Sequence, residues 1–365
     1  MSFLPRHFDW ILLLATLALI SLGILMISST ALGESRNYDL AVRQGLFAVA
    51  GITLFFIIAR SDIEIWRSLA WVFYAASVVL LVAVFIYGLE VRGSLRWIDL
   101  GFFRLQPSEL VKITTILVLA HFLSSRNMRS LKNIFISALL ALIPAILIFL
   151  QPDLGSALIL GALWIGMMIP TEIPKKYFFM GGALILVSLP VVYNLLQPYQ
   201  KDRLLTFFNP GSDPLGVGYN VIQSTIAVGS GGLLGRGFGR GTQSHLNFLP
   251  EHHTDFIFAT LAEELGLLGA ALLLLLLGIV IWRLLFGALR LPRFGGFVLI
   301  GLMVLIFFQA VVNIGMNIGL VPVTGITLPF VSYGGSSLMT LLAGLGLAQA
   351  ALRRKKLAEV VDEPE

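Results

Sequence analysis

Apolar runs of about 20 residues recur along this chain, each the length of a helix that crosses the hydrocarbon core of a bilayer. In lipid the backbone has no water to bond, so a chain of this pattern must fold as a bundle of membrane-spanning helices. Ten such runs fall at roughly 9–30, 40–60, 68–88, 109–123, 133–150, 154–170, 177–196, 256–283, 295–321 and 328–351. The fourth, fifth and sixth are short, which predicts tilt or breaks there. With 57% hydrophobic residues, 12% charged and 26 Phe among 365, the chain has more apolar surface than any soluble domain needs. Cysteine is absent, which excludes disulfides, thiolate catalysis and Cys-based metal sites.

Lys and Arg set the orientation. Arg6, Arg60, Arg67, Arg126, Arg129, Lys132, Lys175, Lys176, Arg283, Arg290, Arg293 and the run Arg353–Lys356 share one face if the N-terminus is inside. They sit in short connectors close to span ends, where the positive-inside rule has force. Both termini are therefore expected in the cytoplasm, and the net charge of +5 reflects these connectors rather than nucleic-acid binding. The segments 89–108 and about 197–255 are expected outside, the second as one long extracytoplasmic loop between spans seven and eight. Residues 1–356 read as a single polytopic membrane domain, and 357–365 as a disordered tail. Within the long loop, Asn220–Val228 has helical spacing of apolar residues and is expected to form a short amphipathic helix at the interface.

The outer face carries the unusual polar material. Glu251-His252-His253-Thr254-Asp255 ends a long polar stretch and runs directly into the apolar Phe256-Ile257-Phe258-Ala259. A carboxylate at that depth is costly and asks for a reason. Proton transfer at the membrane surface is one; a helix start, with Thr254 as N-cap and Asp255 in the first turn, is another. Arg92 to Asp99, followed by Arg104 to Lys112, puts Arg96 and Trp97 on the outer segment and Glu109 and Lys112 three residues apart on one helix face. Arg with Trp suits a phosphate and a ring contact, or a snorkelling interfacial pair. Gln309, Asn313 and Asn317 form a polar stripe that reads as interhelical hydrogen bonding or the lining of a hydrated cavity. Asp153 caps the sixth span or faces the site. Pro322 to Ser337, with two prolines and three glycines, breaks the helix before the tenth span and includes Ser332. Glu263 and Glu264 do not share the helical face of Asp255.

Taken together, Leu105-Gln106-Pro107-Ser108-Glu109-Leu110-Val111-Lys112, Gln151-Pro152-Asp153-Leu154-Gly155-Ser156, Gly241 to Ser244, Asn247 to Ala259, Glu263-Glu264-Leu265-Gly266 and Pro329 to Ser337 resemble the signature of the SEDS family, the bacterial shape, elongation, division and sporulation proteins. These motifs span nearly the whole chain in order, and the His-His-Thr-Asp context resembles the elongation branch more than the division branch. The resemblance implies a ten-span peptidoglycan glycosyltransferase of the bacterial inner membrane with an extracytoplasmic active site. Its substrate would be lipid II, a disaccharide-peptide on undecaprenyl diphosphate. Its partners would be a class B penicillin-binding protein, acting as transpeptidase, and other elongation proteins. Asp255 matches the family's essential aspartate, and Arg96, Trp97, Glu109, Lys112, His252, His253 and Ser332 are candidates for substrate binding.

Glycosyl transfer needs a base for the acceptor hydroxyl, which Asp255 would supply in a single inverting displacement. It also needs positive charge near the departing diphosphate, from Arg96, Lys112, Arg203, Arg240 or a divalent cation such as Mg or Mn. No organic cofactor is implied. A flippase for a lipid-linked precursor and a non-catalytic scaffold for a transpeptidase are the competing classes.

Overall fold

The computed structural model describes residues 8–30, 35–91, 94–99, 101, 104–209, 217–245 and 251–361. Four long helices frame the N-terminal half: α1 (Trp10–Thr30), α2 (Ser35–Arg60), α4 (Ala70–Tyr87) after the short α3 (Ile63–Ser68), and α5 (Pro107–Ser125). α6 (Leu131–Leu150), α7 (Leu154–Met168) and α8 (Lys175–Leu195) follow. Between α8 and α12 lie α9 (Pro198–Phe208), α10 (Val217–Ser230) and α11 (Thr242–His245), and the chain closes with α12 (Ile257–Ala288), α13 (Arg293–Asn317) and α14 (Gly335–Val361). Among the described residues, eight helices are long and apolar enough to cross a membrane, and α7 is apolar but only 15 residues long. The expected sixth span is thus the shortest of the set.

Local chemistry explains the boundaries. Pro107 starts α5 because its missing N–H is one the first helical turn cannot use. Asp153 Oδ1 accepts the Ser156 N–H at 3.1 Å and caps α7. The tenth apolar run, read as starting near 328, becomes helical only at Gly335, because Pro329 and the broken backbone before it cannot join the helix. At the other end α14 runs through 357–361, residues read from sequence as a disordered tail; 362–365 lie outside the described residues.

Two features go beyond a plain helical bundle. Between α4 and α5 the chain forms a small antiparallel sheet of β1 (Leu89–Val91), β2 (Ser94–Asp99) and β3 (Arg104–Leu105), in the order β1-β2-β3. The amphipathic stretch at 220–228 is part of α10, and its apolar face is buried rather than laid on lipid: Val221 and Ala227 pack with Phe256, Ala259, Met316 and Val323. α10 is thereby seated on the start of α12 and the end of α13.

α5 and α14 are the most enclosed spans, whereas α2, α4 and α6 turn much of their surface outward. α5 carries a charged pair into this enclosure. Lys112 Nζ donates to Glu109 Oε1 at 2.7 Å, with side-chain exposures of 2% and 7%. Neither charge would be tolerated there alone. Lys112→Met is expected to destabilise the protein by about 3–5 kcal/mol, and the double variant Glu109→Gln/Lys112→Met to recover most of the loss. Thermal unfolding in detergent measures both, and equal stability of single and double variants would contradict the pairing.

Candidate active site

Asp255 lies in an irregular turn, residues 251–256, immediately before α12. The helix-start reading of this motif does not hold. The N-cap residue is Phe256, which makes no side-chain cap bond, and Thr254 Oγ1 turns back to Glu251, 3.3 Å from its carbonyl and 3.1 Å from Oε2.

Every backbone carbonyl of this turn is engaged. Glu251 O accepts from Thr254 N and Phe256 N at 3.1 and 3.3 Å, and His252 O lies 3.4 Å from Thr260 Oγ1. His253 O accepts from Tyr333 N at 2.9 Å, and Thr254 O from Ser332 Oγ at 2.7 Å. Asp255 O accepts from both Asn313 Nδ2 and Asn317 Nδ2, each at 3.0 Å. The donors come from α12, the 322–334 segment and α13, so three parts of the chain fix one turn. Glu251 holds a positive φ of 55° at its start, a conformation that persists only where surroundings impose it.

The 322–334 segment is fixed in turn. Ser332 Oγ accepts from Leu328 N at 2.8 Å, and Gln44 of α2 bonds both Ser332 O and Gly334 N at 3.1 Å. Asn313 Nδ2 also donates to Ile326 O at 2.7 Å. This segment brings Gly325 to the carboxylate: φ is +72°, and a Cβ there would stand 3.6 Å from Asp255 Oδ2. That is ordinary contact distance, but the positive φ would strain the backbone with any side chain at 325. Next to it, Thr324 Oγ1 is buried without a hydrogen-bond partner among the described residues. Gly155 of α7 packs on Thr324 and Ile326, which places the start of α7 on the far side of the same segment.

His252 is buried and His253 half-buried, and their rings meet edge to face at 5.2 Å. His253 meets Tyr333 in the same way at 5.8 Å. Arg43 of α2 hydrogen-bonds the Tyr333 side chain, and Arg104 of β3 is close enough to act on it electrostatically. Burial pushes the Tyr333 phenol above its usual range, and the two guanidiniums pull the other way. Ser336 Oγ ties this corner down, donating to Arg104 O at 3.0 Å and accepting from Gln106 N at 3.1 Å.

The other expected substrate residues are placed differently. Arg96 points its guanidinium at backbone carbonyls, Nε at 3.3 Å from Gln151 O and Nη2 on Pro152 O, and so ties β2 to the α6–α7 turn. Trp97 is half-buried in β2 opposite Leu89. Glu109 and Lys112 are paired with each other in α5. Arg203 donates to Val323 O at 3.2 Å, beside the segment that carries Gly325. Arg240 is exposed on the outer loop. Arg92 and residues 246–250 lie outside the described residues. Among those described, no three His, Asp or Glu side chains converge as a metal-binding group.

A profile of FtsW/RodA/SpoVE, described as a cell cycle protein, matches residues 9–357. The chain belongs to the FtsW/RodA/SpoVE family. It is 39% identical over 349 residues to the peptidoglycan glycosyltransferase MrdB of Escherichia coli K12, covering 94% of each chain. It is 41% identical to stage V sporulation protein E of Bacillus subtilis 168, covering 93% of this chain and 95% of that protein. Among solved structures, a chain from a peptidoglycan synthase complex that coordinates polymerization and crosslinking superposes with a TM-score of 0.82 at 37% identity, covering 96% of this chain and 99% of that one. Rod shape determining protein RodA of Thermus thermophilus superposes at 0.73 with 32% identity, covering 96% and 98%.

The residues that the sequence reading undervalued in this FtsW/RodA/SpoVE chain are Asn313 and Asn317. Their i, i+4 spacing reads as hydrogen bonding between helices, which Asn317 makes by accepting from Ala259 N of α12 at 3.1 Å, but their carboxamides also hold the Asp255 carbonyl. Asn313→Asp keeps the shape and removes the donor. It is expected to lower stability by about 1–3 kcal/mol and to speed amide exchange at Tyr333, whose N–H bonds the same turn. Unchanged exchange there would show the turn to be held without Asn313.

Proposed function

We infer that Asp255 is the general base of this peptidoglycan glycosyltransferase and that lipid II is its substrate. The observation that carries the reading is a carboxylate immediately before an apolar helix, on a turn whose five carbonyls from Glu251 to Asp255 are all bonded. A base held this way needs no reorganisation when the acceptor arrives.

In the reaction the acceptor hydroxyl gives its proton to the Asp255 carboxylate as its oxygen attacks the anomeric carbon of the donor sugar. The new carbon–oxygen bond forms while the bond to the lipid diphosphate breaks, and the diphosphate leaves with the electron pair. One displacement inverts the anomeric centre. The proton then passes from the Asp255 carboxyl to water.

Charge developing on the diphosphate calls for fixed cations. Of the sequence candidates, Lys112 is neutralised by Glu109 and Arg96 is engaged with carbonyls. Arg43, beside Tyr333 and His253, is better placed, whereas Arg104 is paired with Asp99 and Arg203 bonds the Val323 carbonyl. The active site faces the extracytoplasmic side, so that lipid tails stay in the membrane throughout. A class B penicillin-binding protein would crosslink the product during elongation.

Purified protein incubated with labelled lipid II is expected to give glycan chains on a gel, and Asp255→Ala none. Polymer from Asp255→Ala would remove the residue from the chemistry. Lipid II carried across vesicles without polymer would favour the flippase reading.

A further inference from the structure

α12 is two helices joined by a break. At Gly266 the backbone leaves the helical region, with φ 65° and ψ −161°. In an unbroken helix the Leu267 amide would bond Glu263 O, and the Leu268 amide would bond Glu264 O. Instead, Leu267 N donates to Gly232 O at 2.9 Å and Leu268 N to Leu233 O at 3.2 Å. Glu263 O accepts from Arg236 N at 2.9 Å, and Glu264 O from Gly237 N at 3.0 Å. The glycine-rich loop thus enters the break and takes up the two amides and two carbonyls that a straight helix would join to each other.

The side chains of the same two glutamates hold that loop. Both are fully buried. Glu263 Oε1 accepts from Thr242 Oγ1 at 3.1 Å and Gln243 N at 3.0 Å. Ser29 Oγ of α1 lies 2.7 and 2.5 Å from the two Glu264 oxygens, and Gly239 N donates to Oε2 at 3.1 Å. Close approach does the rest: a Cβ on Gly266 would strike Gly235 N and Leu233 O, so only glycine lets the loop in.

The catalytic turn sits at the other end of the first half-helix, Ile257–Leu265. That segment is a lever of about 13 Å, so a tilt of about 5° moves Asp255 by about 1 Å. We propose that Glu263 and Glu264 are positioning residues for glycosyl transfer, gripping the 232–243 loop in the helix break and thereby fixing the tilt of the segment that ends in Asp255. The alternative state is built into the same atoms. With the loop withdrawn, the four backbone groups bond one another and the helix straightens, so the carboxylates decide between two arrangements that both satisfy the helix backbone. This role rests on Asp255 being the base.

Because the chain has no cysteine, spin labels can be attached through Leu234→Cys and Leu275→Cys, both at exposed positions. The label distance is read in the full-length protein beside lipid II polymerisation. Native protein and Glu264→Gln, whose carboxamide oxygen still accepts, should share one distance and one rate. Glu264→Leu and Gly266→Ala should shift the distance and lower kcat by about 100-fold, the effect of a 1 Å misplacement, with KM little changed. An unmoved distance in both variants, a moved distance at native kcat, or a Gln variant as slow as the Leu variant would each overturn the proposal. If Glu264→Leu does not fold, Gly266→Ala decides, because a straight α12 keeps its backbone bonds. The distances are repeated in an Asp255→Asn background, where the loop reports its position whether or not Asp255 is the base.

Discussion

Backbone that is not helical, at the depth where a chain enters a membrane, must find a partner for every polar group or lose several kcal/mol at each one. The turn from Glu251 to Phe256 meets that demand through groups from distant parts of the chain: Tyr333 N, Ser332 Oγ, the carboxamides of Asn313 and Asn317, and Thr260 Oγ1. Much of the outer half follows from it. The 322–334 segment is irregular because it must lie along this turn, and Gln44 of α2 is buried because it must hold that segment. The same bonds that make the irregular backbone tolerable also make Asp255 rigid, so stability and preorganisation have one source.

The helix break at Gly266 obeys the same rule in a different way. There the orphaned groups of α12 are satisfied by a loop rather than by side chains, and the loop is secured by two buried glutamates. One half-helix, Ile257–Leu265, is therefore tied at both ends. Fixed cations complete the picture: Arg43 and Arg104 meet at Tyr333, one step from His253. Lys112, by contrast, is balanced by Glu109.

Much of this was legible in the sequence, because apolar runs report spans directly and Asp255 was out of place among them. Asp153 was readable as a cap since capping is local, and the structure makes it one. What escaped depends on contacts between residues far apart. Thr254 and Asp255 looked like a helix start, since nothing local shows that the helix waits until Ile257. Asn313 and Asn317 looked like packing residues, since their partner lies about 60 positions away. Arg96 looked like a phosphate ligand, since its carbonyl partners at Gln151 and Pro152 belong to another turn. The small sheet in 89–105 was missed because its strands, of three, six and two residues, are too short to show a two-residue alternation.

The central claim is that Asp255 takes a proton and never bonds to sugar. The most direct measurement is mass spectrometry of the native protein, quenched in acid during turnover of lipid II and digested. The account predicts an unmodified peptide containing Asp255 at every time point. A glycosyl ester on Asp255 that appears and decays with turnover would contradict it, making the carboxylate a nucleophile and the reaction a double displacement.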